Sequence, residues 1–275
     1  MKNLRKSQIK GAKNFIYRNG RLIERKLYSF FFESGQKDDV IKALLGYQNN
    51  DGGFGNGIEP DLLCPDSTAI GAETALYILD ILDLSSSDIV ANIAEWVVNS
   101  LNNEGYIDHP PENLEEYPYQ PWWKNSDNKR IFAIAAFLKK FGYENKNFFS
   151  KVRTFYVKTQ IPEEIQIYDY PYFIYLKYLG ENKEEKKMLQ HIIDQLPSIF
   201  EKNKEHFPLF GRHWYHALDI VDKECIENEA DNLFNGLKED GGLKIIYQDL
   251  PWWRPIWTLD GLILLKKSGL FTMIK

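Results

Sequence analysis

The 275-residue sequence is poor in several features that mark common protein classes. It has two cysteines, Cys64 and Cys225, and no Cys-x-x-Cys pair, so at most one disulfide is possible and free thiols in a reducing compartment are expected. No window approaches the roughly 18 apolar residues of a membrane span. The basic N-terminal segment lacks an apolar stretch before any cleavage site, so we expect a cytoplasmic protein without a signal peptide or membrane span.

Clusters of one charge and nucleotide-binding motifs are also scarce. The formal net charge is −5, and basic runs such as 183–187 carry glutamates among them, which indicates solvated helix faces rather than a nucleic-acid surface. The chain has no P-loop, GxGxxG, GxSxG or HExxH motif, so nucleotide-binding, serine-hydrolase and zincin functions have no support. No Pro-, Gly- or Ser-rich linker interrupts it, and we expect one domain over 1–275.

What the sequence does have is helical periodicity of two kinds. One set of segments places apolar residues at i, i+3 and i+4 with charges opposite, as in helices that bury one stripe; these are 88–101, 148–157, 188–200 and 225–237. A second set is apolar nearly all round and must be covered on most sides: 68–82, 131–138, 170–179 and 257–265. Together with a long N-terminal helix near 8–33, this alternation predicts an inner and an outer ring of helices.

The connections between the segments repeat as well, which is typical of solenoids and toroids. Glycine-containing polar turns occur at 51–55 (DGGFG), 104–108 (EGYID) and 240–244 (DGGLK), with degenerate versions at 163–169 and 204–210. Glycine lets the chain adopt positive φ after a helix. The similar segments PWWK (121–124) and PWWR (251–254) are a second repeated element. We therefore predict an all-α fold, an α/α barrel (toroid) of about six antiparallel helical hairpins.

The first turn resembles a known repeat. Its residues Gln48, Asp51, Gly52, Gly53 and Phe54 resemble the QW-type repeat of the squalene cyclase, terpenoid cyclase and protein prenyltransferase superfamily. The resemblance in the pattern of helices and turns extends over most of the chain, although only the first repeat matches the motif closely. It implies the α/α toroid and a ligand site at the loops that lead from outer to inner helices.

The segment after this turn extends the resemblance to a catalytic motif. Residues 66–69 (DSTA) are similar to the Asp–Cys–Thr–Ala of oxidosqualene cyclases and to the end of the Asp–x–Asp–Asp–Thr–Ala of bacterial class II cyclases. That likeness places Asp66 at the position of the proton donor. The sequence departs from the motif at Ser67 and Cys64, and it has material for one barrel where those cyclases use two. The zinc-binding residues of prenyltransferase β subunits have no counterpart.

The chemistry that the resemblance implies is protonation of an alkene. It needs a carboxylic acid held neutral by burial and by neighbouring carboxylates, and aromatic faces that stabilise the cation. Glu59, Asp61 and Asp66 precede an apolar helix, and Glu73 lies two turns further on. Each also has a structural interpretation: Asp66 as a helix N-cap, Glu59 and Asp61 as acceptors for loop amides or a helix N-terminus, and Glu73 as the partner of a buried arginine.

Candidate substrate-binding residues are aromatic, basic or imidazole side chains near the predicted loops. They are Trp122, Trp123, Tyr170, Arg212, His213, Trp252, Trp253, Arg254 and Trp257. In each tryptophan pair we expect one ring to wedge hairpins together and the other to line a cleft, because adjacent side chains cannot face the same way. The two arginines would complement an anionic group such as a diphosphate.

Histidines offer a weaker signal. His213, His216 and Asp219 would project together from one helix and could ligate a metal, but structural hydrogen bonding is the commoner role at that spacing, and we expect no cofactor. His109 and His206 lie in predicted loops, where lone histidines are ordinarily solvated.

Three functions remain open at this point. The first is a cyclase- or prenyltransferase-like enzyme acting on a small apolar isoprenoid. The second is a carbohydrate-active α/α-barrel enzyme in which aromatic rings stack on sugars and Asp66 pairs with Asp127 or Asp169 as acid and base. The third is a non-catalytic barrel that binds a ligand, a partner subunit or a second copy of itself. Fold alone does not choose, but buried carboxylates favour the first and exposed paired carboxylates the second.

Overall fold

The computed structural model describes residues 2–85, 87–204, 212–244 and 249–273. Within these ranges the chain forms helices and no β-strand, which confirms the all-α prediction. The α-helices are α1 (Lys2–Asn19), α2 (Leu22–Phe32), α3 (Lys37–Leu45), α4 (Ala69–Ile81), α5 (Asp88–Ser100), α6 (Arg130–Lys140), α7 (Lys146–Lys158), α8 (Tyr170–Leu179), α9 (Lys183–Asn203), α10 (Lys223–Gly236) and α11 (Trp253–Lys267). None of the helices in the described part of the chain is both long and apolar enough to cross a bilayer.

The single N-terminal helix predicted near 8–33 is wrong, because the chain breaks between α1 and α2. The backbone N–H of Gly20 donates to the carbonyl of Ile16 at 2.8 Å, and a Cβ on Gly20 would lie 2.7 Å from that oxygen. α1 therefore ends immediately before a glycine at whose position a Cβ would clash. Glu24 then closes the start of α2 by accepting the backbone N–H of Arg21 at 2.8 Å and binding its guanidinium. Apolar periodicity continues across this break, so the sequence pattern predicts one helix where there are two.

The described residues divide into two compact units. We call 1–43 together with 193–275 the terminal unit, and 44–192 the central unit. The divisions fall inside α3 and α9, where the sequence has no linker. The single domain expected over 1–275 stays a prediction.

In the central unit, three buried helices lie next to one another. α6 contacts both α4 and α8, while α5 packs on α4 and α7 packs on α6. Every residue of α4 is buried, as are the apolar residues 131–138 of α6. α5 buries one stripe instead: Ile89, Val90, Ile93, Ala94, Trp96 and Val97. The predicted alternation of all-round and one-sided helices is confirmed in this unit.

In the terminal unit, α11 is the helix covered on all sides. It contacts α1, α2 and α10, and nearly all of its residues from Trp253 to Leu265 are buried. α10 buries only Glu229, Ala230, Leu233 and Phe234. The predicted helix around 213–219 is absent from the described residues, where a short 3-10 helix spans Tyr215–Ala217.

Three of the glycine-containing turns share one backbone geometry. Isolated antiparallel bridges close them six residues apart: Gln48 with Phe54, Leu101 with Ile107, and Leu237 with Leu243. Inside them, Gly52, Gly105 and Gly241 have φ angles of 89°, 99° and 91°. These are left-handed conformations that favour glycine, so the turn repeat predicted from the sequence is confirmed at these three positions.

Each of these turns also docks against the backbone of another helix of its own unit. A Cβ on Gly52 would lie within 3.0 Å of the carbonyl of Asn92 in α5, and one on Gly105 would approach Lys151 in α7 equally closely. In the terminal unit, Gly241 meets Gly11 of α1 in the same way. The glycines are therefore required twice, once for their φ angle and once for close approach.

Candidate functional site

The predicted site residues fall in both units. The central unit holds Glu59, Asp61, Asp66, Glu73, Trp122, Trp123 and Tyr170, and the terminal unit holds Arg212, His213, His216, Trp252, Trp253, Arg254 and Trp257.

Glu73 is the centre of a buried polar cluster in the central unit. Arg130 Nη1 donates to Glu73 Oε2 at 3.1 Å, and the Tyr170 hydroxyl donates to Glu73 Oε1 at 2.5 Å. Arg130 Nη1 also donates to the Tyr170 hydroxyl at 2.9 Å. Each of the three adjacent helices α4, α6 and α8 thus contributes one side chain. The prediction that Glu73 would pair with a buried arginine is confirmed.

Burial dominates the electrostatics of this cluster. It raises the pKa of Glu73, with a smaller contribution in the same direction from Asp127, although Arg130 and Tyr170 oppose the shift. Burial also raises the pKa of Tyr170 well above its ordinary value, so its hydroxyl keeps its proton. Glu73 therefore holds a proton to higher pH than a carboxyl in water, as a general acid must.

This raised pKa predicts a pH-dependent difference in stability between the wild type and Glu73→Gln. A raised folded-state pKa gives stability that is fully present below the ordinary value of 4.5 and is lost as pH rises through the folded pKa. We therefore expect the wild type to lose stability relative to Glu73→Gln as pH rises above 4.5, at up to about 1.4 kcal/mol per pH unit. Urea unfolding of both proteins across this range measures it, and a constant difference would contradict the shift.

Arg130 connects this cluster to Trp123 and His109. Its guanidinium carbon lies 5.6 Å from the centroid of the Trp123 ring, and its Nε pairs with Asp127. His109 Nε2 lies 2.9 Å from the backbone oxygen of Trp123, so this nitrogen donates. Burial lowers the pKa of His109, which favours the neutral imidazole.

The expectation that the loop histidines are solvated is therefore wrong for His109, because it is hydrogen-bonded and half-buried between Trp123 and the end of its own loop. His206 lies outside the described residues.

The tryptophan pairs each contain one buried and one exposed ring. Trp123 is 6% exposed and Trp122 is 41% exposed; Trp253 and Trp252 show the same contrast in the terminal unit. Trp123 packs with Leu62, Cys64, Ile70 and Leu114, and Tyr119 lies against them. The expectation that the two rings of a pair face differently is confirmed, while ligand contact by any of them stays a prediction.

Two further predicted carboxylates, Glu59 and Asp61, are also buried. Glu59 accepts a hydrogen bond from the hydroxyl of Thr74 at 2.5 Å, so it binds α4 one residue after Glu73. Asp61 is also buried, and its backbone oxygen accepts the N–H of Gln120 at 3.0 Å, two residues before the first tryptophan of the pair. This hydrogen bond joins the loop before α4 to the loop before α6.

Asp66 does not cap α4, so that interpretation is wrong. The N-cap is Thr68, whose hydroxyl accepts the N–H of Gly71 at 3.1 Å from an extended backbone conformation. Asp66 is half-buried instead, and both of its carboxylate oxygens accept from the Asn113 amide, at 3.2 and 3.0 Å. Two candidate caps stand close together in the sequence, and the helix begins after the second.

In the terminal unit, both predicted anion-binding arginines already hold carboxylates. Arg212 Nε donates to Asp260 at 3.1 Å, and burial raises the pKa of Asp260. Arg254 binds both oxygens of Asp240 at 2.8 Å and donates to the backbone of Leu243. A diphosphate would have to compete with these acids, and an anion-binding role for either arginine stays a prediction.

The aromatic rings predicted in this unit partly stack on one another. The rings of Trp253 and Trp257 are 5.5 Å apart and tilted by 18°, with the Arg212 guanidinium 6.0 Å from the first ring. Trp252 points to solvent.

The histidine pair does not lie on one helix face. His216 is buried in the 3-10 helix, His213 is half-buried in the turn before it, and Asp219 is exposed. The prediction of a shared face is wrong because no regular helix forms here. Among the residues that the structure describes, no group of three or more His, Cys, Asp or Glu side chains is arranged to hold a metal.

Sequence reasoning missed Arg130 and the neighbouring ion pair between Lys129 and Asp169, whose atoms are 2.7 Å apart. A signal existed, because these two cations directly precede the apolar run 131–138. Charges at the start of an all-round buried helix must find partners. Apart from Asp127, which pairs with Arg130 from three positions away, the partners lie 40 or more positions away in the chain.

No protein-family model, no curated protein and no solved structure matches this chain. The resemblance to terpenoid cyclases and protein prenyltransferases therefore depends on the residues of the DGGFG turn and the DSTA segment.

Proposed function

We propose that this protein is an α/α-toroid enzyme whose central unit binds a small isoprenoid and protonates it from a buried carboxyl group. The observation that carries the proposal is the burial of Glu59 and Asp61 in the loop before α4 and of Glu73 in α4 itself. Buried carboxyls favour their neutral form, and protonation of an alkene requires a neutral acid. Exposed, hydrated carboxylates would favour a carbohydrate substrate instead.

We assign the acid to Glu73 in preference to Asp66. Burial raises the pKa of Glu73, whereas Asp66 is half-exposed and accepts two contacts from the Asn113 amide. Arg130 and Tyr170 also donate to Glu73 and favour its ionised form, but burial has the larger effect and favours the protonated form. Asp66 remains the alternative that the cyclase resemblance implies.

Arg130 and Tyr170 have complementary roles in this proposal. The proton moves from a Glu73 oxygen to an alkene carbon, which forms a C–H bond and leaves a carbocation. The resulting Glu73 carboxylate is stabilised by Arg130 Nη1 and by the Tyr170 hydroxyl, both already within hydrogen-bond distance. Tyr170 also offers an aromatic face for the cation. Loss of a proton from the cation to a base completes an isomerisation or cyclisation.

The toroid part of the proposal is supported by features within the central unit. α4, α6 and α8 are adjacent buried helices in the central unit, and each is preceded by a long loop. The turns at 48–54 and 101–107 dock on α5 and α7 respectively, so each turn packs on the outer helix that follows next in the chain. Such a repeated step is what a ring of helical hairpins requires.

The carbohydrate alternative has less support. It pairs Asp66 with Asp127 or Asp169, but Asp127 is bound by Arg130 and Asp169 by Lys129. A second carboxylate acting as base or nucleophile would first have to leave its cation.

The proposed acid is tested by incubating the purified protein with farnesol, geranylgeraniol or squalene and identifying products by gas chromatography and mass spectrometry. We expect isomerised or cyclised product from at least one of them. Glu73→Gln should lower turnover about 10²- to 10⁴-fold, while Asp66→Asn, the matched carboxyl-to-amide change, should retain most of it. Loss of turnover in Asp66→Asn with full activity in Glu73→Gln would transfer the acid to Asp66.

A further inference from the structure

The indole N–H of Trp123 is a buried donor that has no acceptor among the described residues. Its Nε1 has no hydrogen-bond partner in the part of the chain that the structure describes, although the side chain is only 6% exposed. Buried polar groups in native proteins are nearly always hydrogen-bonded, and each exception calls for an explanation. An acceptor that arrives with a bound molecule is one such explanation.

The residues around Trp123 indicate whether the main part of such a molecule is polar or apolar. On one side the ring is flanked by the Arg130 guanidinium and the edge of His109. Elsewhere it packs among apolar side chains: Leu62, Cys64, Ile70 and Leu114. A ligand that reaches the N–H here contacts mainly carbon, so its body is apolar.

The charged residues near Trp123 indicate whether the acceptor atom of the ligand is neutral or anionic. The buried and part-buried charged side chains of the joined loops and helix starts are six carboxyls and two cations: Glu59, Asp61, Asp66, Glu73, Asp127 and Asp169, with Lys129 and Arg130. With Glu73 protonated, the other five carboxylates still outnumber the cations by three, and each cation is already paired with a carboxylate. An anionic oxygen, such as that of a phosphate, would be repelled here.

We infer that the ligand of the central unit carries a neutral oxygen, of an alcohol, ether or carbonyl, which accepts a hydrogen bond from the Trp123 indole N–H. The inference rests on the function proposed above and narrows its substrate class to oxygenated isoprenoids. In this inference, Trp123 positions the ligand close to Glu73. Arg130 contacts both residues and so connects them.

The test compares three probes with a shared carbon skeleton. Farnesol has a neutral oxygen, α-farnesene has none, and farnesyl diphosphate is anionic. Their dissociation constants are measured by isothermal titration calorimetry on the full-length wild type. We expect farnesol to bind about tenfold more tightly than farnesene and more tightly than the diphosphate.

A near-isosteric variant isolates the N–H. Replacing Trp123 with 3-benzothienylalanine exchanges the N–H for sulfur and keeps the shape of the ring. This variant should lose the preference for farnesol and keep its affinity for farnesene. The same replacement at Trp96, a buried tryptophan that packs on the Gly53 turn in the same unit, should leave the preference unchanged.

The outcomes separate the two proposals. Equal binding of farnesol and farnesene by the wild type, a persisting preference in the Trp123 variant, or tightest binding of the diphosphate would overturn the inference while isoprenoid binding stands. If none of the three probes binds, the proposed function fails and the inference falls with it. If the Trp123 variant does not fold, the wild-type probe comparison and the Trp123 indole proton resonance still decide, since that resonance should move downfield with farnesol and not with farnesene.

Discussion

Arg130→Met is expected to lower the free energy of unfolding by about 3–5 kcal/mol, because it leaves Glu73 buried without its cation. Asp127 and the Tyr170 hydroxyl lose contacts at the same time. Methionine preserves much of the apolar length of the arginine, so lost packing contributes little. The change in unfolding free energy is measured by urea denaturation at pH 7.

Two further variants identify the cause of this loss. Adding Glu73→Gln to Arg130→Met removes the carboxyl whose burial Arg130 offsets and should recover a large part of the stability, since an amide can still accept from Tyr170. Lys124→Met breaks an exposed ion pair with Glu115 in the same unit and should leave stability close to the wild type. A loss in Arg130→Met no larger than that in Lys124→Met would contradict the buried-cluster account.

Gly105→Ala is expected to lower the free energy of unfolding by more than the cost of placing an alanine at a positive φ angle. Gly105 has φ 99°, and an added Cβ would meet the backbone carbonyl of Lys151 in α7. Gly142 in the same unit has φ 79°, and a Cβ added there would have no atom within 4 Å, so Gly142→Ala measures the backbone cost, about 1–2 kcal/mol. Because backbone cannot move aside as a side chain can, we expect Gly105→Ala to cost about 1–3 kcal/mol more.

Urea unfolding of the two alanine variants gives this difference directly. Equal losses would mean that the turn does not dock on α7, and would remove the repeated turn as a support for the toroid. A larger loss for Gly105→Ala would show that glycine sets the approach of turn and helix as well as the turn itself.

The parts of the fold that the sequence predicts are those decided locally. α4 and α5 follow from apolar periodicity, which depends only on neighbouring side chains. The turns follow from glycines at positions of positive φ. Periodicity misses the break at Gly20 because a lone glycine inside an apolar pattern is tolerated in many helices. It overpredicts the region 213–219, where the apolar spacing is present but no regular helix forms.

The candidate site could be predicted only in part, for a related reason. The four carboxylates stand out in the sequence by their density around one helix start. Their environments do not, because Glu73 meets Arg130 57 positions away and Tyr170 97 positions away. The N-cap role predicted for Asp66 from the local motif is wrong, since Thr68 caps the helix and the Asn113 amide binds the Asp66 carboxylate.

The central claim is that Glu73 protonates an isoprenoid, and uptake of solvent deuterium tests it most directly. The wild type and Glu73→Gln are each incubated in D₂O with the isoprenoid that the wild type converts, and the products are examined by mass spectrometry. We predict one carbon-bound deuterium per product molecule from the wild type and at least about 100-fold less labelled product from Glu73→Gln. Unlabelled product from the wild type, or undiminished labelled product from Glu73→Gln, would contradict the claim.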